Sequence, residues 1–175
     1  MPLIKNGQIM EDCFVRILDG APLPDDVAVI VPAERLLADA EEILARSGAT
    51  GVIWPNSRNV SELARHLDRI ALVALAFPSF RDGRAYSQAR VLRERHRYRG
   101  ELRATGQVLR DQSVFLYRAG FDAFEVSKAA DAPAFIKAMA AYSVFYQPTG
   151  DGRPTAASRR QLRTPAPGKE TAPAR

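Results

Sequence analysis

The sequence predicts an α/β protein built around a parallel β-sheet, and three observations support this fold class. Short apolar, β-branched runs recur between residues 27 and 126, and segments with helical spacing of apolar residues alternate with them. Residues 72–77 form an unbroken apolar run of strand length, which is typical of a strand covered on both faces. The alternation gives five consecutive βα units, and right-handed crossovers then favour a parallel sheet. We expect a doubly wound open sheet of five strands; the alternative is a partial βα barrel, open at one side or completed by a partner.

The elements follow in order after an N-terminal arm or hairpin, residues 1–26, in which short strands are expected over 4–9 and 14–18. Turn residues such as glycine and proline separate the later segments. The predicted strands are residues 27–31, 51–54, 72–77, 101–105 and 121–126, and the predicted helices are residues 36–44, 59–67, 85–99, 108–119 and 131–140.

The fourth predicted strand differs from the others because polar and apolar residues alternate along it. Glu101, Arg103 and Thr105 are separated by single apolar residues. Alternation places the polar side chains on one face, which favours a barrel-like interior or a sheet edge. The count of five strands favours the open sheet, so both architectures stay open.

The composition changes after the βα-repeat domain, residues 27–147. Residues 148–175 are rich in proline, glycine and arginine and lack apolar periodicity, which predicts a disordered basic tail. The segment 151–175 carries six basic and two acidic residues, so it accounts for four of the five net positive charges. The remaining chain is nearly neutral, and a basic nucleic-acid-binding surface is not indicated.

Several classes of protein are disfavoured by composition. Cys13 is the single cysteine, which excludes a disulfide or an all-cysteine metal cluster within one chain. The N-terminus lacks the pattern of a secretory signal, and no apolar run is long enough to cross a membrane, so a cytoplasmic protein is expected. His66 and His96 lie inside predicted helices without metal-ligand spacing. No dinucleotide fingerprint or Walker loop is present, so we expect no bound cofactor and no metal.

The turn after the third predicted strand is the strongest candidate site. It carries arginines, an aspartate and hydroxyl groups just before a helix N-terminus, where free backbone N–H groups favour an anion. A second Arg–Asp pair opens the next helix at the same end of the sheet. Together these two places give the predicted ligand-binding residues: Ser79, Arg81, Asp82, Arg84, Tyr86, Arg110 and Asp111.

Each of these features also has a purely structural interpretation. Asp82 can cap its own helix while the arginines are solvated, and Arg110 with Asp111 can be a surface pair of small energetic value. The arginine-rich segment 90–99 is typical of a solvated helix face and helix end, and docking of a partner there is the alternative.

Five segments resemble a bacterial family of unknown function, and the similarity covers roughly residues 27–146. The segments that carry the resemblance are Phe77-Pro78-Ser79-Phe80-Arg81-Asp82-Gly83-Arg84-Ala85-Tyr86-Ser87, Leu92-Arg93, Gly100-Glu101-Leu102-Arg103-Ala104, Val108-Leu109-Arg110-Asp111-Gln112 and Gly120-Phe121-Asp122-Ala123-Phe124-Glu125. Genes of this family commonly lie beside the gene of the sulfite reductase haemoprotein, and members are often labelled oxidoreductases involved in sulfite reduction. The resemblance carries over no catalytic residues.

The resemblance implies an accessory protein of assimilatory sulfite reduction. The residues add a physical role, in which the strand C-terminal ends bind a small oxyanion or a partner such as sulfite reductase. One alternative is an oxidoreductase that uses a diffusible cofactor, and another is a purely structural partner of the reductase that uses the segment 90–99. Neither nucleic acid nor a membrane is expected as a partner, and a homo-oligomer is left open.

Overall fold

A computed structural model describes residues 2–163, which form one eight-stranded sheet with helices. The strands are β1 (Leu3–Lys5), β2 (Gln8–Met10), β3 (Val15–Arg16), β4 (Val29–Pro32), β5 (Thr50–Trp54), β6 (Leu72–Phe77), β7 (Glu101–Gly106) and β8 (Ala123–Glu125). The α-helices are α1 (Ala33–Ala38), α2 (Ala40–Ala45), α3 (Arg84–Arg90), α4 (Ser113–Ala119), α5 (Ala132–Met139) and α6 (Ala156–Arg163).

The sheet is mixed, which corrects the predicted parallel sheet of five strands. Strands β3 to β8 run parallel in sequential order, and β1 lies antiparallel between β8 and β2. The N-terminal arm is therefore part of the sheet. Its hairpin turns at Asn6-Gly7, where φ is 51° and 77°. Asn-Gly is the strongest short hairpin signal because both residues tolerate positive φ, and the predicted single strand over 4–9 overlooked it.

The strand order excludes a doubly wound sheet. In that fold the order reverses at a switch point, and helices cover both faces. Here the order from β3 to β8 never reverses, so right-handed crossovers place the intervening helices on one face. The barrel-like alternative agrees better with this topology.

The sheet is strongly curled, as the connection between its two edges demonstrates. Strand β2 lies at one edge and β3 at the other, yet Met10 and Val15 are separated by only four residues. Five extended steps span at most about 18 Å, at about 3.6 Å per residue. Seven inter-strand gaps of a flat sheet would span about 34 Å, at about 4.8 Å each. The edges therefore approach each other, and residues 11–14 cross the concave face.

Alternate strand residues separate two cores. On β6, Val73, Leu75 and Phe77 face the helices and belong to the main core. Leu72 and Ala74 point to the concave face and join a small second cluster. The apolar run over 72–77 is thus covered on both faces, as predicted, because the N-terminal segment covers the concave one.

Three helical segments differ from simple α-helices. The first predicted helix is interrupted at Asp39, between α1 and α2. The second is a 3₁₀ helix over Val60–His66, begun by Asn59, whose side chain accepts a hydrogen bond from Ser61 N. The third widens after α3 into a π-helical turn, Val91–Arg95. Short 3₁₀ turns also precede α4 and α5.

The predicted disordered tail begins at residue 148, and the structure describes it as far as residue 163. This part of the chain contacts the domain and forms a helix, which the sequence did not predict. Arg118 Nε lies 3.0 Å from Asp151 Oδ2, and the Arg118 guanidinium lies 4.1 Å from the centre of the Phe145 ring. Arg153 stacks on Tyr117, and helix α6 follows. The composition of the tail alone could not predict these contacts, because the partner residues lie about 30 residues earlier in the chain. The rest of the predicted tail, residues 164–175, lies outside the described residues.

No helix within residues 2–163 is both long enough and apolar enough to cross a membrane.

Candidate functional site

The predicted turn lies where the sequence places it, between the C-terminal end of β6 and the start of α3. Asp82 lies at its centre and makes the main contacts. Its Oδ1 accepts hydrogen bonds from Arg84 N at 3.2 Å and from Arg84 Nε at 3.0 Å. Arg84 Nη2 lies 2.6 Å from Asp82 Oδ2. The Arg84 guanidinium holds the pKa of Asp82 well below its ordinary value of 3.8.

These contacts determine what the turn can bind. The Asp82 carboxylate lies at the start of α3, where a bound anion would otherwise be favoured, and it already neutralises Arg84. Ser79 is also committed, because its Oγ accepts a hydrogen bond from Arg81 N at 3.3 Å. The polar groups of Asp82, Arg84 and Ser79 therefore have hydrogen-bond partners within the turn itself.

Arg81 is different, because no ion pair of its side chain is found within residues 2–163. Its guanidinium lies 5.5 Å from the centre of the neighbouring Phe80 ring, and both side chains are exposed. Tyr86 is half-buried and packs edge-on against Phe77. Burial raises the pKa of Tyr86, and a hydrogen bond with Gln112 partly offsets this.

The second predicted pair, Arg110 and Asp111, is exposed. Arg110 Nε lies 3.3 Å from Asp111 Oδ1, and both side chains are more than half accessible to water. The pair and Ser127 are among the residues that line a cavity of about 320 Å³, formed by the segments after β7 and β8 and by α5. An exposed pair of this kind contributes little to stability.

Two glutamines join the turn after β6 to the loop after β7, and the sequence interpretation missed both. Gln107 Oε1 accepts a hydrogen bond from Phe80 N at 3.3 Å. The single amide of Gln112 bridges both loops, because its Nε2 donates to Phe80 O at 2.9 Å and its Oε1 accepts from Leu109 N at 3.1 Å. These bonds hold the two candidate regions side by side.

The loops joined by Gln107 and Gln112 present apolar side chains to water. Phe80 is 45% exposed and Leu109 is 44% exposed. Phe115, on the first turn of α4, is 68% exposed. With Arg81 beside Phe80, the surface combines aromatic and guanidinium groups, which are enriched at the centres of protein interfaces, with the aliphatic side chain of Leu109. We call Phe80, Arg81, Leu109 and Phe115 the clamped surface.

A buried polar group lies near this end of the sheet. Asn56 follows β5 and is 6% exposed, and its Nδ2 makes no hydrogen bond to any described residue. The Asn56 amide is nevertheless near enough to Asp82 to help lower the pKa of that carboxyl group. Polar groups from β5, β6 and β7 therefore converge at the strand C-terminal ends, as expected for an α/β protein.

A second polar cluster lies on the concave face, and its centre is Arg103 of β7. The Arg103 side chain is only 1% exposed. Its Nε lies 2.7 Å from Glu101 Oε1, and its Nη1 lies 2.6 Å from Asp12 Oδ2 and 3.2 Å from Glu125 Oε1. Burial alone would lower the pKa of Arg103, but Asp12 and Glu101 raise it above the ordinary value. One buried guanidinium thus holds three carboxylates.

Cations on two other strands, β1 and β3, neutralise the remaining negative charge of this cluster. Arg16 of β3 donates to Glu125 and to Thr105, and Lys5 of β1 lies 2.7 Å from Glu101 Oε2. Three cations and three carboxylates therefore balance. The alternating polarity of residues 101–105 was the signal of this cluster in the sequence, but its partners near the N-terminus were not foreseen.

The remaining reactive side chains have ordinary local partners. His66 Nε2 accepts a hydrogen bond from Arg65 Nε at 2.9 Å, and His96 Nε2 lies 3.1 Å from Ser61 Oγ. Cys13 is exposed in the segment that crosses the concave face. Residues 2–163 contain no group of three or more histidine, cysteine, aspartate or glutamate side chains that could hold a metal ion.

A family model described as "Bacterial protein of unknown function (DUF934)" matches residues 51–156, more than half of the chain. The chain belongs to this family. No curated protein matches it. The DUF934 match contains the clamped surface and Arg103, and it continues to Ala156, which includes the Asp151 and Arg153 contacts. Asp12 and Arg16 lie outside the match, so the charge cluster in this DUF934 protein joins matched and unmatched parts of the chain.

Proposed function

We propose that this protein is an accessory protein of sulfite reduction that docks, through its clamped surface, on an acidic and partly apolar surface of a sulfite-reducing enzyme. The pathway comes from the family resemblance described above. The observation that carries the docking role is that Gln107 and Gln112 fix two loops so that Phe80, Leu109 and Arg81 are exposed together.

Rigid presentation supports docking because binding then requires little ordering of side chains and loops. Gln112 is hydrogen-bonded to both loops, so the relative position of Phe80 and Leu109 is set before a partner arrives. Arg81 has no carboxylate partner within residues 2–163, so a partner's aspartate or glutamate would supply the missing countercharge. These features favour a partner protein whose surface has an apolar recess with carboxylate groups beside it.

The structure gives less support to a small oxyanion at the same place. The Asp82 carboxylate already pairs with Arg84 and lies at the start of α3, so a second anion there would meet a fixed negative charge. A partner protein that contacts Arg81 and Phe80 avoids this repulsion. We therefore retain the reductase partner, and not the free oxyanion, as the occupant of the strand C-terminal ends.

The test is a binding measurement between the tagged protein and the sulfite reductase haemoprotein of the same cell. Wild type should bind, and Phe80→Ala should weaken binding by about tenfold or more, since loss of an interface anchor typically costs about 2 kcal/mol or more. Arg81→Glu should weaken it further by repelling the acidic surface. Arg95→Glu makes the same charge change at an exposed arginine outside the clamped surface and serves as the matched control.

A growth test places the protein in its pathway. A deletion strain should grow poorly on sulfite as the sole sulfur source and normally on sulfide. The Phe80→Ala variant should rescue growth less well than Arg95→Glu.

The binding measurement decides whether the docking proposal holds. The proposal is wrong if the reductase binds wild type and Arg81→Glu equally, or does not bind wild type at micromolar concentration.

A further inference from the structure

The opposite end of the sheet carries a cavity that the clamped surface does not use. It has a volume of about 690 Å³ and lies between the segment before β6 and the segment before β7. Cavities of about 300–1,000 Å³ are typical of small-molecule sites. In βα barrels the reaction centres lie at the C-terminal ends of the strands, so we expect a cavity at the N-terminal ends to bind a ligand without transforming it.

The cavity rim is positively charged. Arg65, Arg97 and Arg99 line it, and Asp68 is the single carboxylate among its lining residues. Neither Arg97 nor Arg99 makes an ion pair or a side-chain hydrogen bond within residues 2–163, and both are exposed. Most other arginines of the described chain pair with a carboxylate or a carbonyl group. Two like charges held two residues apart without a counterion therefore favour a bound anion.

The backbone holds these arginines in a conformation that is not the relaxed one. The chain leaves α3 through the π-helical turn Val91–Arg95, and such wide turns are frequent at functional sites. Arg97 then has φ of 56°, in the left-handed region that residues other than glycine rarely adopt. Two departures from regular geometry within seven residues, directly beside the cavity, are a reason to infer function there.

Arg93 fixes the loop in this conformation. Its Nη1 donates to Tyr98 O at 2.7 Å and to Gly100 O at 2.9 Å. Its Nη2 donates to Asp122 Oδ2 at 2.8 Å, which anchors the loop to the segment before β8. The positions of Arg97 and Arg99 are thus set by hydrogen bonds that do not involve their own side chains.

The floor of the cavity is apolar. Leu67, Ile70 and Tyr98 are all less than a tenth exposed, and the Tyr98 hydroxyl is occupied because it donates to Ile70 O at 3.0 Å. A bare inorganic ion would fill only a small part of a cavity of about 690 Å³. A ligand with an apolar or aromatic part beside its charged group would fill more of this volume, with the apolar part next to Leu67 and Ile70 and the charged group next to the arginines.

We propose that this cavity binds an organic anion that carries a phosphate or sulfate ester next to an apolar ring, of the size of a nucleotide. Arg97 and Arg99 bind the oxyanion with their guanidinium groups, and Arg65 adds a third positive charge to the cavity lining. The Leu67 and Ile70 side chains pack against the apolar part. The site is independent of the docking role, because it lies at the other end of the strands.

Titration calorimetry with adenosine 5′-diphosphate, inorganic pyrophosphate and adenosine tests this site. We expect adenosine 5′-diphosphate to bind more tightly than pyrophosphate, and adenosine to bind weakly or not at all. Arg97→Gly removes the guanidinium at a residue whose positive φ suits glycine, so the loop need not change. This variant and Arg99→Ala should each bind adenosine 5′-diphosphate about tenfold more weakly or worse, the usual effect of losing one charge-assisted hydrogen bond.

Two further variants separate the cavity from general positive charge. Arg95→Ala removes an exposed arginine of the same helix end that does not line the cavity, and it should bind like wild type. Ala64→Glu places a carboxylate on the cavity wall without removing an arginine, and it should abolish binding. The proposal is overturned if wild type binds neither phosphate-bearing probe at millimolar concentration, or if Arg95→Ala weakens binding as much as Arg97→Gly.

Discussion

Arg16 and Glu125 lie on the first and last strands of the parallel run, five positions apart, and Arg16 Nη2 is 2.5 Å from Glu125 Oε2 across the concave face. Arg103 contacts the same glutamate from β7. The two sides of the curled sheet are therefore held together by charged groups instead of by continuous strand pairing. This arrangement makes the fold sensitive to changes in single charges.

Removing Arg103 should be the most damaging of these changes. Arg103→Met keeps much of the side-chain volume but leaves Glu101 and Glu125 buried without their central cation, and Asp12 loses its main partner. Breaking a buried ion pair from one side typically costs about 3–5 kcal/mol. Urea unfolding followed by circular dichroism measures this loss.

Arg16→Ala is the matched control for Arg103, because the Arg16 side chain is 45% exposed and Glu125 retains Arg103 and Thr105. Its cost should be clearly smaller than that of Arg103→Met, because the buried Glu125 carboxylate keeps two partners and Arg16 itself is partly exposed. Equal losses in the two variants would contradict the central role of Arg103.

Acid should weaken the fold partly through Asp12. Burial acts to raise the pKa of Asp12, but the Arg103 hydrogen bond prevails and holds this pKa below the ordinary value of 3.8. The folded protein thus binds this proton less readily than the unfolded chain does, so ionised Asp12 contributes stability above about pH 4. That contribution is lost as the pH falls through the folded-state pKa.

Thermal melts of wild type and Asp12→Asn between pH 7 and pH 2 test this dependence. The difference in Tm between the two proteins should be largest at neutral pH and should shrink below pH 4. Asp26→Asn makes the same change at an exposed carboxylate of the N-terminal region and serves as the matched control. A difference that grows on acidification would reverse the sign and contradict the assignment.

The Gln112 side chain should affect both stability and partner binding, because its hydrogen bonds hold together the two loops that carry Phe80 and Leu109. Gln112→Ala loses the bonds to Phe80 O and Leu109 N, each worth about 1 kcal/mol, so unfolding should become easier by about 1–2 kcal/mol. Binding of the reductase should also weaken, because the two loops are no longer held together. Gln107→Ala, which loses one bond to Phe80 N, should have about half the effect on stability.

Arg118 should hold the segment after α5 against the domain. Its guanidinium lies over Phe145, pairs with Asp151 and donates to Gln147 O. In Arg118→Ala, hydrogen exchange of peptides covering residues 145–156 should become faster, while exchange in β6 is unchanged. Arg110→Ala removes an exposed arginine without such contacts and should leave both regions as in wild type. Unchanged exchange in Arg118→Ala would mean that other contacts suffice.

Arg97→Gly should fold at least as stably as wild type. The left-handed conformation costs an ordinary residue about 1–2 kcal/mol, whereas glycine loses about 0.5–1 kcal/mol in entropy. The expected net effect is a small gain in Tm. A fall of several degrees would mean that the Arg97 side chain itself holds the loop.

Local pattern predicted much of the fold. The run 72–77 corresponds to β6, and residues 101–105 correspond to β7 apart from its last residue, since apolar runs and alternation depend on neighbours in sequence. The turn at residues 79–84 lies where it was expected. The order of strands and the direction of β1 were not predictable in this way, because pairing of Leu3 with Glu125 leaves no mark on either segment alone.

The candidate sites, like the fold, were predictable only where the interacting residues are close together in the sequence. Asp82 and Arg84 are two residues apart, so their pairing could be anticipated as a cap. Asp12 and Arg103 are 91 residues apart, and each looks like an ordinary surface charge in the sequence. The alternation around Arg103 indicated an unusual strand, but only the curled sheet shows which carboxylates meet it.

The sequential strand order also has a consequence for how the chain folds during synthesis. Each strand from β4 to β8 pairs with the one made just before it, so these units can assemble as they leave the ribosome. Strand β1, although made first, has to wait for β8 before its second edge is covered. Pulse-labelled hydrogen exchange during refolding should find the amides of Thr50–Trp54 protected early. Those of Leu3–Lys5 should be protected last, with the closing of the N-terminal arm as the slow step.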